Sequence, residues 1–566
     1  IALHKVFHSP EDKIFFDVGH QCYTHKILTG RVSQFDTLRQ YGGISGFEKR
    51  CESEHDVWEA GHSSTSLSAT LGMAVARDLN GENYHVVPVI GDGAMESGMA
   101  LEALNDIGEK RKRIIIVFND NGMSISRNVG SLHKSFAKLR IAEGYTGLKH
   151  GMKSSLRKSR VGKKVLSELK GFKDAVKKSV VDAGVFGEFG LDYLGPVDGH
   201  DISQLVKALD AAKEKSGPVV VHVITKKGKG YEPCEEDEEG IWHGVGPFDP
   251  QTGQLDRTKP EDFASWSSVF SSRLEILAER NPDIIAITPA MKIGSKLEEF
   301  FRKYPDRSFD TGIAEEHAAT FAAGLAVSGK RPYLCVYSTF LQRCYDQINH
   351  DICRMDLPVV IGIDRAGLVG NDGSTHHGVF DIGILRCLPH IIICEPKDAK
   401  EAGDLLALGF SQDHPFAIRY PRGNTKKMEL AFSEPLLEVG SWEVIGDLSE
   451  QAPVICTYGN KVSEVLRNAE KRGKKLTVIN CRFFKPLDEK VLNRLSELNR
   501  KVTVYETDMK AGGLASAISE WMLESGKTFP MECFGIPDQY IEHGDIRSLE
   551  KEAGIDTDTV LDKVLE

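Results

Sequence analysis

The chain has 566 residues, 41% of them apolar and 27% charged, with a formal net charge of -11. That length exceeds one hydrophobic core and predicts three domains of roughly 150–250 residues each. The composition is ordinary for a globular protein, the acidic balance gives no whole-chain reason to expect nucleic acid or a membrane surface as partner, and no apolar run approaches the roughly 18 residues that span a bilayer.

The opening "IALHKVFHSPEDK" has neither the apolar core nor the small-residue cleavage site of a signal peptide. Strand-like runs then alternate with helical patterns. "HVVPVIG" leads to a helical "MESGMALEALNDIGEK" and to "RIIIVFND"; "DISQLVKALDAAKEK" precedes "PVVVHVIT". Later come "PDIIAIT", "RPYLCVYS", "LPVVIGIDR", "HIIICEP", "APVICTYG", "KLTVIN" and "KVTVYET". Continuous β-rich runs separated by helices predict α/β domains with mainly parallel, doubly wound sheets. Two stretches poor in apolar period, 244–262 and 432–453, divide the chain into 1–245, 262–430 and 440–566. The segment 148–179 is strongly basic; it reads as a solvated helical face, or as a mobile cover that draws in an anionic substrate. The eleven cysteines are scattered without a C-x-x-C pair, which predicts reduced thiols and a cytoplasmic setting, or plastid stroma in a plant.

The stretch "PVIGDGAMESG" at 88–98 places one carboxylate between two glycines where a buried strand ends. Ligands of doubly wound sheets bind beyond such strand ends. Gly91 and Gly93 allow backbone to approach a bulky ligand, and the N–H groups that follow, from Ala94 onward, can face a phosphate. A diphosphate repels Asp92 unless a cation lies between them, and Mg²⁺ bridges carboxylates to phosphates in this way. The next strand ends in "NDN", so Asn121 and the carbonyl of Met123 are the candidates to complete the metal's protein ligands.

The sequence "GDGAMESGMALEALND…VFNDN" resembles the diphosphate and Mg²⁺ signature of thiamine diphosphate enzymes. With "DVGHQCYTHKILTGR", "GHSSTSLSA", "GPVDGHD", "TKKGKGYEP", "GIAEEHAATFAAGLA", "YSTFLQRCYDQINHD", "DRAGLVGNDGSTHHGVFD" and "RYPRGN", nearly the whole chain resembles the 1-deoxy-D-xylulose-5-phosphate synthase family. The resemblance implies two thiamine diphosphate-binding folds followed by a transketolase C-terminal-like domain, in a homodimer that binds neither nucleic acid nor membrane. It implies a transferase that joins pyruvate to D-glyceraldehyde 3-phosphate with loss of CO₂, the first step of methylerythritol phosphate isoprenoid synthesis, which also feeds thiamine synthesis. It further implies a leading segment with a Ser-Gly-Gly-His turn that would precede Ile1.

The resemblance makes Glu315 the acid that activates the cofactor's pyrimidine ring, a role that suits an apolar site where the carboxyl can share a proton near neutral pH. It makes His20, His62 and His376 proton carriers, with Asp372 orienting substrate hydroxyls or a histidine. His20, Gly61, His62 and Ser63 are also expected at the cofactor, as are Tyr231 and Phe340, the latter against the pyrimidine ring. Arg365 and Arg422, with Tyr337 and Arg343 nearby, are expected at the substrate phosphate, where a guanidinium fork suits paired oxygens. Lys226, Lys227 and Lys229 lack P-loop spacing. The alternatives are a transketolase-type two-carbon transfer and an inactive cofactor-binding paralogue.

Overall fold

Runs such as Val86–Ile90 and Val219–Val223 are buried from end to end. That burial suits strands covered on both faces, where successive side chains point to opposite sides. The computed structural model describes residues 1–123, 129–136, 184–237, 240–246, 248–255, 262–428 and 437–566. The basic segment 148–179 lies outside the described residues. The chain forms two compact units, residues 1–35 with 46–255, and residues 36–45 with 256–566.

The first unit carries β1 (Lys13–Phe16), β2 (Val86–Gly91), β3 (Ile115–Asp120), β4 (Asp192–Asp198) and β5 (Val219–Ile224). They form one parallel sheet in the order β1-β2-β3-β5-β4. Val87, Val89 and Val117 pack on one face with Val6, Leu209 and Ala212. Ile90, Ile116 and Phe118 pack on the other with Leu67, Leu71 and Leu104. The helical run expected from Met95 onward is broken at Glu96–Ser97, giving Asp92–Met95 and Gly98–Lys110.

The second unit holds the second and third expected domains together. Its strands are β6 (Phe263–Ser265), β7 (Ile284–Thr288), β8 (Ser308–Asp310), β9 (Arg331–Tyr337), β10 (Val360–Ala366), β11 (Ile392–Cys394), β12 (Phe416–Pro421), β13 (Asn424–Lys426), β14 (Glu443–Ile445), β15 (Val454–Thr457), β16 (Thr477–Asn480), β17 (Phe483–Lys485), β18 (Val502–Met509) and β19 (Met531–Ile536). A seven-stranded sheet runs β17-β11-β12-β10-β9-β7-β8 and a five-stranded sheet runs β14-β16-β15-β18-β19. All pairs are parallel except β17 on β11, β14 on β16 and the separate β6–β13 ribbon. The third domain thus lends β17 to the sheet of the second.

Part of the expected linker at 244–262 is ordered. Phe248 and Leu255 bridge across a turn in which Asp249 and Gln254 share a backbone hydrogen bond. The eleven cysteines are all free thiols. Among the described residues no helix is long and apolar enough to cross a membrane.

Candidate active site

In the first unit, the groups that follow β1, β2, β3 and β5 all leave the sheet at its carboxyl edge. Parallel register sets Gly91 opposite Asn119. The Gly122 N–H donates to Asp92 Oδ2 at 2.7 Å, and the Met123 N–H donates to Asn121 Oδ1 at 2.9 Å. The tips bearing Asp92 and Asn121 are therefore joined directly. Asp92 is fully buried, and Gly91, Gly93, Asn121 and Met123 are half-buried. A Cβ built on Gly91 would meet nothing within 4 Å, so this tip borders open space.

The turn Gly61–Ser63 is fixed from the chain just after it. Asp17, one residue past β1, accepts from the Ser64 N–H at 2.8 and 3.0 Å and from the Ser66 N–H at 3.2 Å. Ser64 Oγ donates to the Ala94 carbonyl at 2.8 Å. One aspartate thus holds the start of helix Ser66–Leu79, a capping role carboxylates fill well, and ties His62 to the β1 and β2 tips. Val18 (φ 64°) and Ser64 (φ 74°) sit in the left-handed region. For a β-branched residue that is a strained conformation, of the kind that persists where surrounding contacts over-determine the backbone.

His20 lies with its ring 5.0 Å from that of His243, and Lys227 Nζ is 3.4 Å from His243 Nδ1. Burial lowers the proton affinity of the Lys227 ammonium, against the pull of Asp237, Cys234 and Asp92. His243 was not singled out in the sequence, because it stands at the border of the stretch read as linker. The Trp-His-Gly turn beside it was the available signal. Tyr231, expected at the cofactor, packs in an aromatic cluster with Trp242 (5.3 Å) and Phe248 (5.9 Å). Its hydroxyl is buried without a hydrogen-bond partner.

Among the described residues, His25, Glu48 and Asp56 bring ligand-type atoms within 4.8 Å of one another. Both Asp56 oxygens are already occupied, by Arg31 at 2.6 and 2.7 Å, His25 Nε2 at 3.1 Å and the Lys49 N–H at 2.9 Å. Asp56 thus ties Arg31 and His25 together below the loop after His20, while Glu48 accepts from the Phe16 N–H at 3.0 Å.

In the second unit, Glu315, Tyr337, Arg365 and Arg422 lie at or just beyond the carboxyl ends of β8, β9, β10 and β12. The Arg365 guanidinium stacks 4.1 Å above the Tyr337 ring. Tyr337 stacks on Phe340 at 5.5 Å, and Phe340 meets the His376 ring edge-on at 5.8 Å. Arg422 donates to the Val369 carbonyl at 2.9 Å and to Asp372 Oδ2 at 3.3 Å. Arg39, from the segment 36–45, reaches Asp372 Oδ1 at 2.5 Å. Burial opposes ionisation of Asp372, but His376, Arg422, Arg39 and Arg365 hold it below the usual carboxylate range. Tyr337 serves here as the platform for Arg365, with its hydroxyl against Gly294, where a Cβ would lie 2.0 Å away. Arg39 carried no sequence signal, since 36–45 precedes its partner by more than 300 positions.

Glu315 heads the helix Glu315–Val327 and is 4% exposed. Its Oε2 is buried with no hydrogen-bond partner. Burial pushes the carboxyl up to about 7, with Arg343 pulling the other way. Arg343 Nη1 stands 3.8 Å from Glu315 Oε2, longer than a hydrogen bond. The structure thus sets Arg343 beside the activating-acid candidate, while Arg365 and Arg422 gather at Tyr337 and Asp372.

The successive, mainly parallel sheets, with the family matches that follow, define a fold of the transketolase type. Residues 263–427 match the family described as transketolase, pyrimidine binding domain, and 446–560 match transketolase, C-terminal domain. Residues 1–225 match the family described as 1-deoxy-D-xylulose-5-phosphate synthase. A protein of that name from Geobacillus sp. (strain WCH70) is 51% identical over 571 residues, covering 100% of this chain and 90% of the relative. One from Listeria innocua serovar 6a is 49% identical over 573 residues, with the same coverage. The transketolase from Leishmania mexicana aligns with 98% of this chain and 88% of its own at 15% identity, TM-score 0.46. The chain belongs to the 1-deoxy-D-xylulose-5-phosphate synthase family.

Proposed function

We propose that this protein is a thiamine diphosphate-dependent transferase that condenses pyruvate with D-glyceraldehyde 3-phosphate, releasing CO₂ and forming 1-deoxy-D-xylulose 5-phosphate, the first step of methylerythritol phosphate isoprenoid synthesis. The observation that carries the reading is similarity along the whole chain to proteins of that name. The residues present fit the cofactor. An orphaned, buried carboxyl oxygen on Glu315 suits a ring nitrogen as partner, and the joined tips of Asp92 and Asn121 suit a hard cation such as Mg²⁺.

When bound, thiamine diphosphate supplies the nucleophile and the electron sink for decarboxylating a 2-oxo acid. Asp92, Asn121 and the Met123 carbonyl would hold Mg²⁺, and Gly91, Gly93 and Ala94 would leave room for the diphosphate. Glu315 would hold a proton for the pyrimidine nitrogen, and Phe340 would pack against that ring. His20 and His62, with His243 beside His20, move protons at substrate oxygens, and the Gly61–Ser63 turn orients the cofactor. Arg365 and Arg422 grip the acceptor phosphate while Asp372 and His376 orient its hydroxyls. A homodimer and a cytoplasmic setting belong to the same proposal, supported by the family resemblance. The test is an assay with pyruvate, glyceraldehyde phosphate, thiamine diphosphate and Mg²⁺. One CO₂ per 1-deoxyxylulose phosphate is expected; two-carbon transfer between sugar phosphates without CO₂ would replace this reading with the transketolase one.

A further inference from the structure

The acid that the proposed function needs at the pyrimidine ring has a cation beside it. We propose that Arg343 is a positioning residue for Glu315: its guanidinium, 3.8 Å from Oε2, sets how readily the buried carboxyl ionises and which way it points. The geometry carries this. Arg343 belongs to the turn Gln342–Cys344, which packs against the head of the helix Glu315–Val327. The Arg343 side chain is 16% exposed and the Glu315 side chain 5%, so water screens the pair weakly.

The other titratable groups around this carboxyl do not substitute for Arg343. Glu316, on the same helix, disfavours its charge, and Cys344, in the arginine's own turn, is a buried thiol pushed up by burial. The next turn's groups are engaged elsewhere. Asp351 accepts from Thr320 Oγ1 at 2.6 Å and lies 2.7 Å from His350 Nδ1, and the Tyr345 hydroxyl lies 3.4 Å from Cys387 Sγ. Too strong a pairing would freeze Glu315 as a bare carboxylate. A contact longer than a hydrogen bond moderates the effect of burial without cancelling it, which leaves Glu315 at about 7.

The inference rests on Glu315 being the activating acid, but its main test does not need turnover. Thermal unfolding of the cofactor-free protein is followed from pH 6 to 9 for the unchanged chain, Arg343→Met, Glu315→Gln and the double variant. Without the cation, Glu315 requires a higher pH to ionise, by about one unit, so the stability lost on its ionisation extends further upward. The deficit of Arg343→Met should therefore grow with pH, and that growth should vanish in the Glu315→Gln background. A deficit that is constant with pH, or whose growth persists unchanged in the double variant, overturns the proposal. On the enzyme with cofactor, the limb of the kcat profile governed by Glu315 should rise by about one pH unit, with KM for glyceraldehyde phosphate changed less than about twofold, and Arg343→Lys should restore the profile partly. A rise of KM by about tenfold or more without a shift in the profile would make Arg343 a phosphate cation, and overturn it.

Discussion

A carboxylate at a helix N-terminus is ordinarily favoured in its charged form. Glu315 is the reverse, because burial outweighs both the helix end and Arg343. A folded value of about 7, raised above the roughly 4.3 of an unfolded glutamate, means that stability is fully present below the unfolded value and is lost as pH rises to 7. Glu315→Gln should therefore abolish turnover while raising the melting temperature of the cofactor-free protein at pH 8 and leaving it unchanged at pH 4, a gain of at most about 4 kcal/mol. Calorimetry at the two pH values checks it. Asp92→Asn keeps the Gly122 contact but removes a charge from the proposed cation. It should weaken Mg²⁺-dependent thiamine diphosphate binding by about tenfold or more in isothermal titration.

Elements, more than single side chains, decide where the site stands. Asp17 holds the start of helix Ser66–Leu79 and the GHSS turn through three N–H···O contacts. Asp17→Ala leaves those donors buried, so it should cost about 2 kcal/mol of stability and weaken cofactor binding together, seen in one set of melts with and without cofactor. Gly378 pairs with Gly367 and lies so close to β10 that a Cβ would sit 2.4 Å from the Arg365 carbonyl and 2.6 Å from Ser338. Gly378→Ala should displace the Arg365 and His376 loops, lowering kcat/KM at a stability cost of about 1–3 kcal/mol; steady-state kinetics beside a melt of the same variant checks both effects.

The central strands and the GDG–NDN pairing were legible because fully apolar runs and Gly-Asp-Gly turns are local signals. Strands β1 ("KIFF") and β8 ("SFD") are too short to show a period, and β12 runs into "RYPRGN", a motif read for Arg422 alone. That motif holds a second arginine, Arg419, in the core, and only the tertiary fold separates the two. Arg343 was legible as a residue but not as the partner of Glu315, and Arg39 was not legible at all, since pairing across the fold leaves no mark on spacing.

At the scale of the molecule, Arg419 joins the two sheets of the second unit. It is 1% exposed and meets Glu395 at 2.6 Å, Asp508 at 2.6 Å and Asp381 at 3.0 Å, while the Tyr458 hydroxyl donates to Asp508 at 2.6 Å. Three buried acids face one cation. Burial pushes Glu395 up to about 8, with Arg419 opposing and Asp508 and Asp381 adding to the rise. A raised carboxyl loses stability as pH climbs from its unfolded value through 8, so the unfolding temperature should fall between about pH 5 and pH 8. Glu395→Gln should flatten that fall, as a scan of melting temperature against pH would show.

The loan of β17 also fixes where the protein can be cut. A piece ending near residue 430 keeps the whole 263–427 domain by sequence, yet it strips Phe483–Lys485 from β11 and leaves Ile392–Cys394 with bare backbone donors and acceptors. Such an unprotected border invites another chain to add itself. The excised domain would therefore self-associate through β11, whereas a chain carried through the whole third domain keeps both β11 and β15 paired and would not associate through that border.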